Sequence, residues 1–376
     1  MPFGYGPAAK LLSLARRLRG SLRLVFVGEG SALELVSRCP RDFEAVIAAS
    51  PLAAESQRRV READAVLSVM DRGAGAAADR AGRPLFVVDS LLWMRAEIPE
   101  SLRGARVYFA QAFPAPEPSP CEPSPMWVGP LIAPHAQAGP RGGDLVVNLG
   151  GSAAPDDRRA LFAAYARLAL RAVVAAGLLE RFERVRVIGG QPAIAALSGV
   201  AEDPRIECGS LSPEDARACT AGAAALLTAP GLTATLEAFC DRTPTWFLPP
   251  QNYSQWCSLR RLRARGLADG AFHWEDEAAA PRLSERLPAA AHAAAAEPIR
   301  RACEDPRVIA RVAASLEGVG REGGERAARQ AAFFRSLGPC GLDQIAVSLR
   351  RLARPDSRAA APSPRSPISR SQSWTS

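Results

Sequence analysis

The stretch Ala225–Gly266, ALLTAPGLTATLEAFCDRTPTWFLPPQNYSQWCSLRRLRARG, decides the fold. It opens with a short apolar run, Ala225 to Thr228, and breaks at Ala229-Pro230-Gly231. Leu232, Leu236, Ala238 and Phe239 then recur at helical spacing until Asp241-Arg242. This pattern predicts a strand, a tight turn and a helix. A second strand, Thr245 to Leu248, stops at Pro249-Pro250, and a further helix runs from near Tyr253 to Gly266. The result is a β-α-β-α unit with polar residues at both strand ends. In open parallel sheets, ligands sit beyond the carboxyl ends of the strands, where helix amino ends offer free N–H groups and a positive dipole to phosphate. Pro230, Gly231, Gln251, Asn252 and Gln255 stand at that edge.

The turn and helix PG-x-x-A-x-LEA, followed by TP-x-x-FLPPQN-x-SQ, resembles the nucleotide-sugar half of the two-domain GT-B glycosyltransferases that include the lipid II N-acetylglucosaminyltransferases. Within that group it is most similar to the cytosylglucuronate synthases of nucleoside-antibiotic pathways. The resemblance implies an α/β chain of two doubly wound Rossmann-like domains facing a cleft. It implies that Glu237 binds the ribose hydroxyls of UDP and that the loop of Gln251, Asn252 and Gln255 reads the sugar. It also sets Gly151 and Ser152 at the phosphate or cleft, and the loop at Gly209 around the base. The implied activity is inverting, metal-independent transfer of a sugar, glucuronate, from a UDP-sugar to cytosine or a related small pyrimidine, with no cofactor beyond the substrate. Outside this stretch the match is diffuse, so the remainder is read from the residues themselves.

At 376 residues, with 48% hydrophobic and 23% charged, the chain is long enough for two domains, each with its own core. No charge-free apolar run reaches the length of about eighteen residues that a spanning helix needs. The amino end carries its positive charges after its apolar segment, unlike a signal peptide, so a cytoplasmic protein is expected. The eight cysteines are scattered without a C-x-x-C pair, which fits reduced, buried thiols better than zinc ligation. Net charge is +8, yet Lys10 is the sole lysine, and the arginines from Arg260 to Arg265 alternate with Leu and Ala. That is a solvated helix face rather than a nucleic-acid surface.

In chain order, Phe3-Gly4-Tyr5-Gly6-Pro7 resembles the Gly-rich turn after the first strand of a doubly wound domain, and a helix follows from Ala8 to Leu18. No strand precedes the turn: the first strand is absent, or the start codon is assigned too late. Strands follow at Leu22–Val27, Glu44–Ala49, Ala65–Met70 and Leu85–Val88, with helices between some of them, which argues a parallel sheet. The proline-rich run Pro114–Pro125 reads as an extended loop flanked by strands, the second of them Met126–Ile132. The division is therefore an acceptor-side domain over 1–133, a linker over 134–143, a nucleotide-sugar domain over 144–320, C-terminal helices over 321–353 and a disordered tail over 354–376. The second domain opens with a buried strand, Leu145–Leu149, running into Gly150-Gly151-Ser152. A long Ala-rich helix spans Asp157 to Leu179. Strands at Val185–Ile188 and Ile206–Leu211 precede a helix starting at Ser212-Pro213.

For acceptor chemistry, the three histidines fall in the linker or late in the chain, so a general base would be Asp71 or Asp89 at a strand end. A pyrimidine ring nitrogen would need none. Gly6, Lys10 and Arg72 are candidates for the acceptor or sugar-carboxylate side, with Arg95 beside them. The acidic run Trp274–Glu277 reads as a surface turn, and no metal site is expected. Two other classes share this pattern: a non-catalytic UDP-sugar-binding protein, and an epimerase-like enzyme, which would need a carboxylate pair or a histidine facing the sugar.

Overall fold

The computed structural model describes residues 5–95, 97–113, 123–135, 141–151, 159–276 and 296–352. Ser152, Glu277, much of the proline-rich run, the middle of the linker and the tail over 354–376 lie outside the described residues. The amino-terminal half runs α1 (Gly6–Leu18), β1 (Val25–Gly28), α2 (Gly30–Ser37), β2 (Ala45–Ala48), α3 (Ala54–Glu62), β3 (Val66–Val69), α4 (Arg72–Arg80), β4 (Leu85–Asp89), β5 (Val107–Gln111) and β6 (Met126–Val128). All pairings are parallel, but the strands form two sheets, β1-β2 and β3-β4-β5-β6.

The second half runs β7 (Leu145–Asn148), α5 (Arg159–Ala175), β8 (Val185–Ile188), α6 (Gln191–Ala195), β9 (Ile206–Gly209), α7 (Pro213–Ala221), β10 (Ala225–Thr228), α8 (Leu232–Cys240), β11 (Thr245–Phe247) and α9 (Tyr253–Arg263). Its single parallel sheet has the order β11-β10-β7-β8-β9. The central strand β7 is buried on both faces, with Leu145, Val146 and Val147 each 0% exposed, which is why it reads as an unbroken apolar run. Two Rossmann-like α/β units result.

Among the described residues, four helices close the chain: α10 (Ala296–Glu304), α11 (Pro306–Ser315), α12 (Gly323–Ser336) and α13 (Gly341–Leu352). Along α12, Gln330 fastens the helix to the second sheet. Its Oε1 accepts from Thr245 N at 3.1 Å and its Nε2 donates to Thr245 O at 2.8 Å. The last helix, α13, returns to the first half, where Leu342, Ile345 and Leu349 join Leu14, Leu18, Phe86, Val88 and Phe109 in one core. The return is close: Gly341 N donates to Pro130 O at 2.8 Å, and a Cβ on Gly129 would collide with the carbonyl of Pro339. A second apolar cluster joins Trp93, Phe113 and Ile132 of the first half to Leu232, Leu236, Phe239 and Phe247 of the second.

Among the elements that depart from the sequence pattern, two carry a physical reason. The strand expected from Leu22 begins at Val25; Leu22 and Leu24 are partly buried against the α1–α13 core, and Leu24 O accepts from Glu44 N at 2.7 Å just ahead of the paired residues. Helix α3 carries no apolar stripe. In AESQRRVRE only Val60 is a buried apolar residue, so nothing in its periodicity signals a helix.

Candidate functional site

The site forms where the amino end of α8 meets the amino end of α1. After β10 the chain turns at Ala229-Pro230-Gly231, and Gly231 takes the N-cap position of α8 without a side chain to cap it. The first-turn N–H groups are therefore left for a ligand, with the helix dipole behind them. Opposite stands α1. Its Lys10, 4% exposed, donates from Nζ to Thr233 Oγ1 at 2.6 Å. Gly6 suits this approach, since a Cβ there would lie a tight 3.2 Å from the same hydroxyl. Gly151 is needed, because a Cβ on it would stand 2.8 Å from Tyr5 N and clash with the Tyr5 ring. The surfaces of the two halves are thus in contact at the site.

Of the three amides in the Gln-rich loop, two serve the fold. Gln251 is 5% exposed, and its Nε2 donates to Leu149 O at 2.7 Å. Asn252 caps α9, accepting from Gln255 N at 3.1 Å and from Ser254 Oγ at 2.8 Å. Gln255 differs. Its Oε1 accepts from Gln251 N at 2.8 Å, and its Nε2 lies 3.8 Å from where a Cβ on Gly231 would be. Its NH2 therefore faces the Pro230-Gly231 turn. Gly209 closes β9, the far edge strand of the sheet, and the structure does not bring it to this turn.

The carboxyl of Glu237, in the second turn of α8, has no hydrogen bond or ion pair among the described residues. Half-buried, it is pushed up to about 7 by desolvation, against the pull of Arg217 and Lys10. Burial lowers the Lys10 ammonium to about 8, opposed by Glu237 and Asp89. Such paired perturbations mark a site that leaves charge uncompensated. An ammonium set against a positive helix end has its natural counterion in an anion, and an unpartnered carboxylate accepts from a diol. Behind them Arg217 on α7 braces the helix. It donates to both oxygens of Asp241 at 2.9 and 3.0 Å, and to Ala133 O at 2.6 Å across to the first half. Sequence reading passed over Arg217 and Thr233; Arg217 stands in no motif, Thr233 fills a variable position of the quoted turn-and-helix pattern, and both act through residues distant in the chain.

At the strand edge of the first half, the two carboxylates expected as bases both have hydrogen-bond partners. Asp89 is 0% exposed; its Oδ2 accepts from Arg95 at 2.5 Å and Tyr108 OH at 2.7 Å, and its Oδ1 from Leu91 N at 2.7 Å. It is a buried brace, and Arg95 is consumed by it. Asp71 is the N-cap of α4, accepting from Ala74 N at 2.8 Å, while Arg72 is exposed at the first position of that helix. Replacing Asp89 with alanine strands a guanidinium and a buried phenol, so denaturant unfolding should show a loss of about 3 kcal/mol. A residue the sequence reading missed is Gln111, at the carboxyl end of β5. It is 0% exposed, and neither amide atom has a partner among the described residues. Its only signal is an amide ending the apolar run VYFAQ. Among the described residues no group of His, Cys, Asp and Glu could hold a metal ion, and no helix is long and apolar enough to cross a membrane.

No protein-family model matches the chain, and no curated protein matches it. Solved structures do. The spinosyn rhamnosyltransferase SpnG, solved with its aglycone, aligns at a TM-score of 0.54 and 12% identity over 94% of this chain and 98% of its own. MurG of Acinetobacter baumannii aligns at 0.52 and 13%, over 92% and 96%. A UDP-glucosyltransferase of Polygonum tinctorium aligns at 0.51 and 14%, over 91% and 95%. The fold is therefore that of the GT-B glycosyltransferases. At these identities the likeness extends to architecture across nearly the whole chain.

Proposed function

We propose that the chain is a glycosyltransferase that moves a sugar, glucuronate, from its UDP donor to a small acceptor such as cytosine or a related pyrimidine, in the biosynthesis of a nucleoside natural product in the cytoplasm. The observation that carries this reading is the buried Lys10, hydrogen-bonded to Thr233 beside the uncapped amino end of α8, on the helix that also carries the unpaired Glu237 carboxyl. Glu237 accepts from the ribose diol. The N–H groups around Gly231, with the Gln255 amide, take the diphosphate and offset the charge that develops on it as the glycosidic bond breaks, so that transfer is metal-independent. Lys10 supplies the cation for the diphosphate or for the sugar carboxylate. Direct attack by a ring nitrogen forms the C–N bond as the anomeric C–O bond to the diphosphate breaks, inverting that centre; the ring N–H proton passes to the departing diphosphate or to water, so no side-chain base is required, in keeping with the engagement of Asp71 and Asp89. The same engagement favours a second reading, a UDP-sugar-binding protein without transfer.

Calorimetric titration with UDP, UDP-glucuronate, UDP-glucose and UDP-N-acetylglucosamine tests the donor. UDP-glucuronate should bind most tightly, and Glu237→Ala should weaken it at least about tenfold, the worth of a charged hydrogen bond. Affinity should also be bell-shaped in pH. Below about 7 Glu237 takes up a proton and loses acceptor strength, while above about 8 Lys10 loses its charge. A folded protein that binds none of the four removes the donor assignment. Binding without release of UDP when cytosine is added favours the second reading.

A further inference from the structure

Along β5 the side chains alternate between the two faces of the sheet. Tyr108 and Ala110 pack with Val87 and Leu92 on one face, and Phe109 packs with Leu14 and Leu18 of α1 on the other. Gln111 continues the Phe109 row, and Phe113 stands two residues beyond it. Phe109 belongs to the core of the first domain, while Phe113 lies in the cluster where Trp93 and Ile132 meet Leu232 and Phe239 of the second half. Gln111 is therefore at the boundary between that core and the contact of the two halves. An apolar side chain would continue the row. The amide is instead 0% exposed, and neither its oxygen nor its nitrogen has a hydrogen-bond partner among the described residues. Buried polar groups are almost always paired, so an amide bare on both atoms points to a partner from outside the chain.

The same edge carries Lys10. Lys10 precedes Leu14 by one helical turn, about 5 Å, and Gln111 follows Phe109 by two strand residues, about 7 Å. Both steps lead the same way, because the amino end of α1 lies at the carboxyl edge of the strands, beside Gly151 and Thr233. Asp89, whose register partner Ala110 directly precedes Gln111, is near enough to Lys10 to favour its charge. Gln111 thus stands on the first domain's side of the cleft that holds Lys10 and Thr233. We infer that Gln111 recognises the acceptor, pairing its amide at two points with a heteroaromatic ring edge that sets a hydrogen-bond acceptor beside a donor. For the identity of the ring, this rests on the function proposed above. In cytosine that edge is N3 with the C4 amino group: Gln111 Nε2 donates to N3, and Oε1 accepts from the amino group. N1, the nitrogen that forms the new bond, lies across the ring from C4 and is left pointing to the donor. Gln111 moves no proton; it selects and orients the ring. No described residue fixes the amide, so a half-turn exchanges its donor with its acceptor and fits the N3–H and C4 oxygen of uracil equally. The selection is for the edge, not for cytosine over uracil. With the halves in contact the amide is enclosed, so the ring is taken up while they are apart and held as they close.

The test is nuclear magnetic resonance of the full chain, isotopically labelled at its glutamine side-chain nitrogens, with the Gln111 NH2 signals identified by their loss in Gln111→Met. The probes are 1-methylcytosine, 1-methyluracil and 1-methyl-2-pyridone, in which the methyl group blocks N1 and leaves only the N3 and C4 edge to pair. The first two should shift the Gln111 signals and bind within about tenfold of each other. The pyridone has neither group at that edge, and should bind at least about tenfold more weakly and leave the signals in place. Gln111→Met should lose this preference, melt no lower than the parent, and keep its affinity for UDP-glucuronate. If it does not fold, Gln111→Asn identifies the signals and should lose the preference instead. Equal affinity for the three rings, or Gln111 signals unmoved by the first two, would overturn the inference, while donor binding in the same sample leaves the glycosyltransferase reading standing. Gln111 shifts in a chain that binds no UDP-sugar would do the reverse. A Gln111→Met variant that melts lower yet keeps the ring preference would make the amide structural, and that too overturns the inference.

Discussion

Arg217→Met is expected to destabilise the protein by about 3–5 kcal/mol, the cost of leaving one member of a buried ion pair alone. The Asp241 side chain is only 4% exposed and takes both of its close contacts from the Arg217 guanidinium, which also serves Ala133 O in the first half. Equilibrium denaturation reads the loss directly. The double variant Arg217→Met, Asp241→Leu should recover most of it, because the isolated carboxylate goes with the charge that paired it. Recovery with donor binding still weak would separate the brace from its electrostatic effect. Arg217 favours ionised Glu237, so without it the Glu237 carboxyl titrates higher than about 7, and the acid limb of donor binding moves up in pH.

Lys10→Met should stabilise the fold while abolishing donor selection. Burial lowers the ammonium from 10.5 to about 8. A depressed folded pKa penalises the charged form, so the penalty is absent above 10.5, grows as pH falls, and is complete below about 8. At neutral pH the 2.5-unit difference corresponds to about 3 kcal/mol, of which methionine, similar in length and apolar, should return a large part. Thermal unfolding should therefore show a gain at pH 7 that disappears toward pH 10.5, while affinity for UDP-glucuronate falls at least about tenfold. A variant no more stable than its parent would mean that Lys10 is already compensated in the free protein.

The second domain was legible because its strands are apolar on both faces and bracketed by Gly and Pro. β10, α8 and β11 fall within a residue of the limits that Pro230-Gly231 and Pro249-Pro250 impose. Gln251 and Asn252 were legible as polar residues at a strand end, but not as supports, since the partner of Gln251 is Leu149 O, about a hundred positions away. The same limit applies to Asp89. Nothing in its own neighbourhood announces that Tyr108 will close over it. Lys10 and Thr233 meet across 223 positions, a contact that only the packing of two domains creates. Glu237 and Lys10 could each be singled out from the sequence; that Lys10 and Arg217 act on Glu237 could not.

The return of α13 sets an order of events during synthesis. Leu342, Ile345 and Leu349 belong to the core formed by Leu14, Leu18 and Phe109, so the first domain is discontinuous in the sequence. On the ribosome, the second domain's sheet and covering helices are complete before Gly341 is made. The first domain stays open until the 12 residues of α13 have emerged. The domain translated first is therefore the last to close.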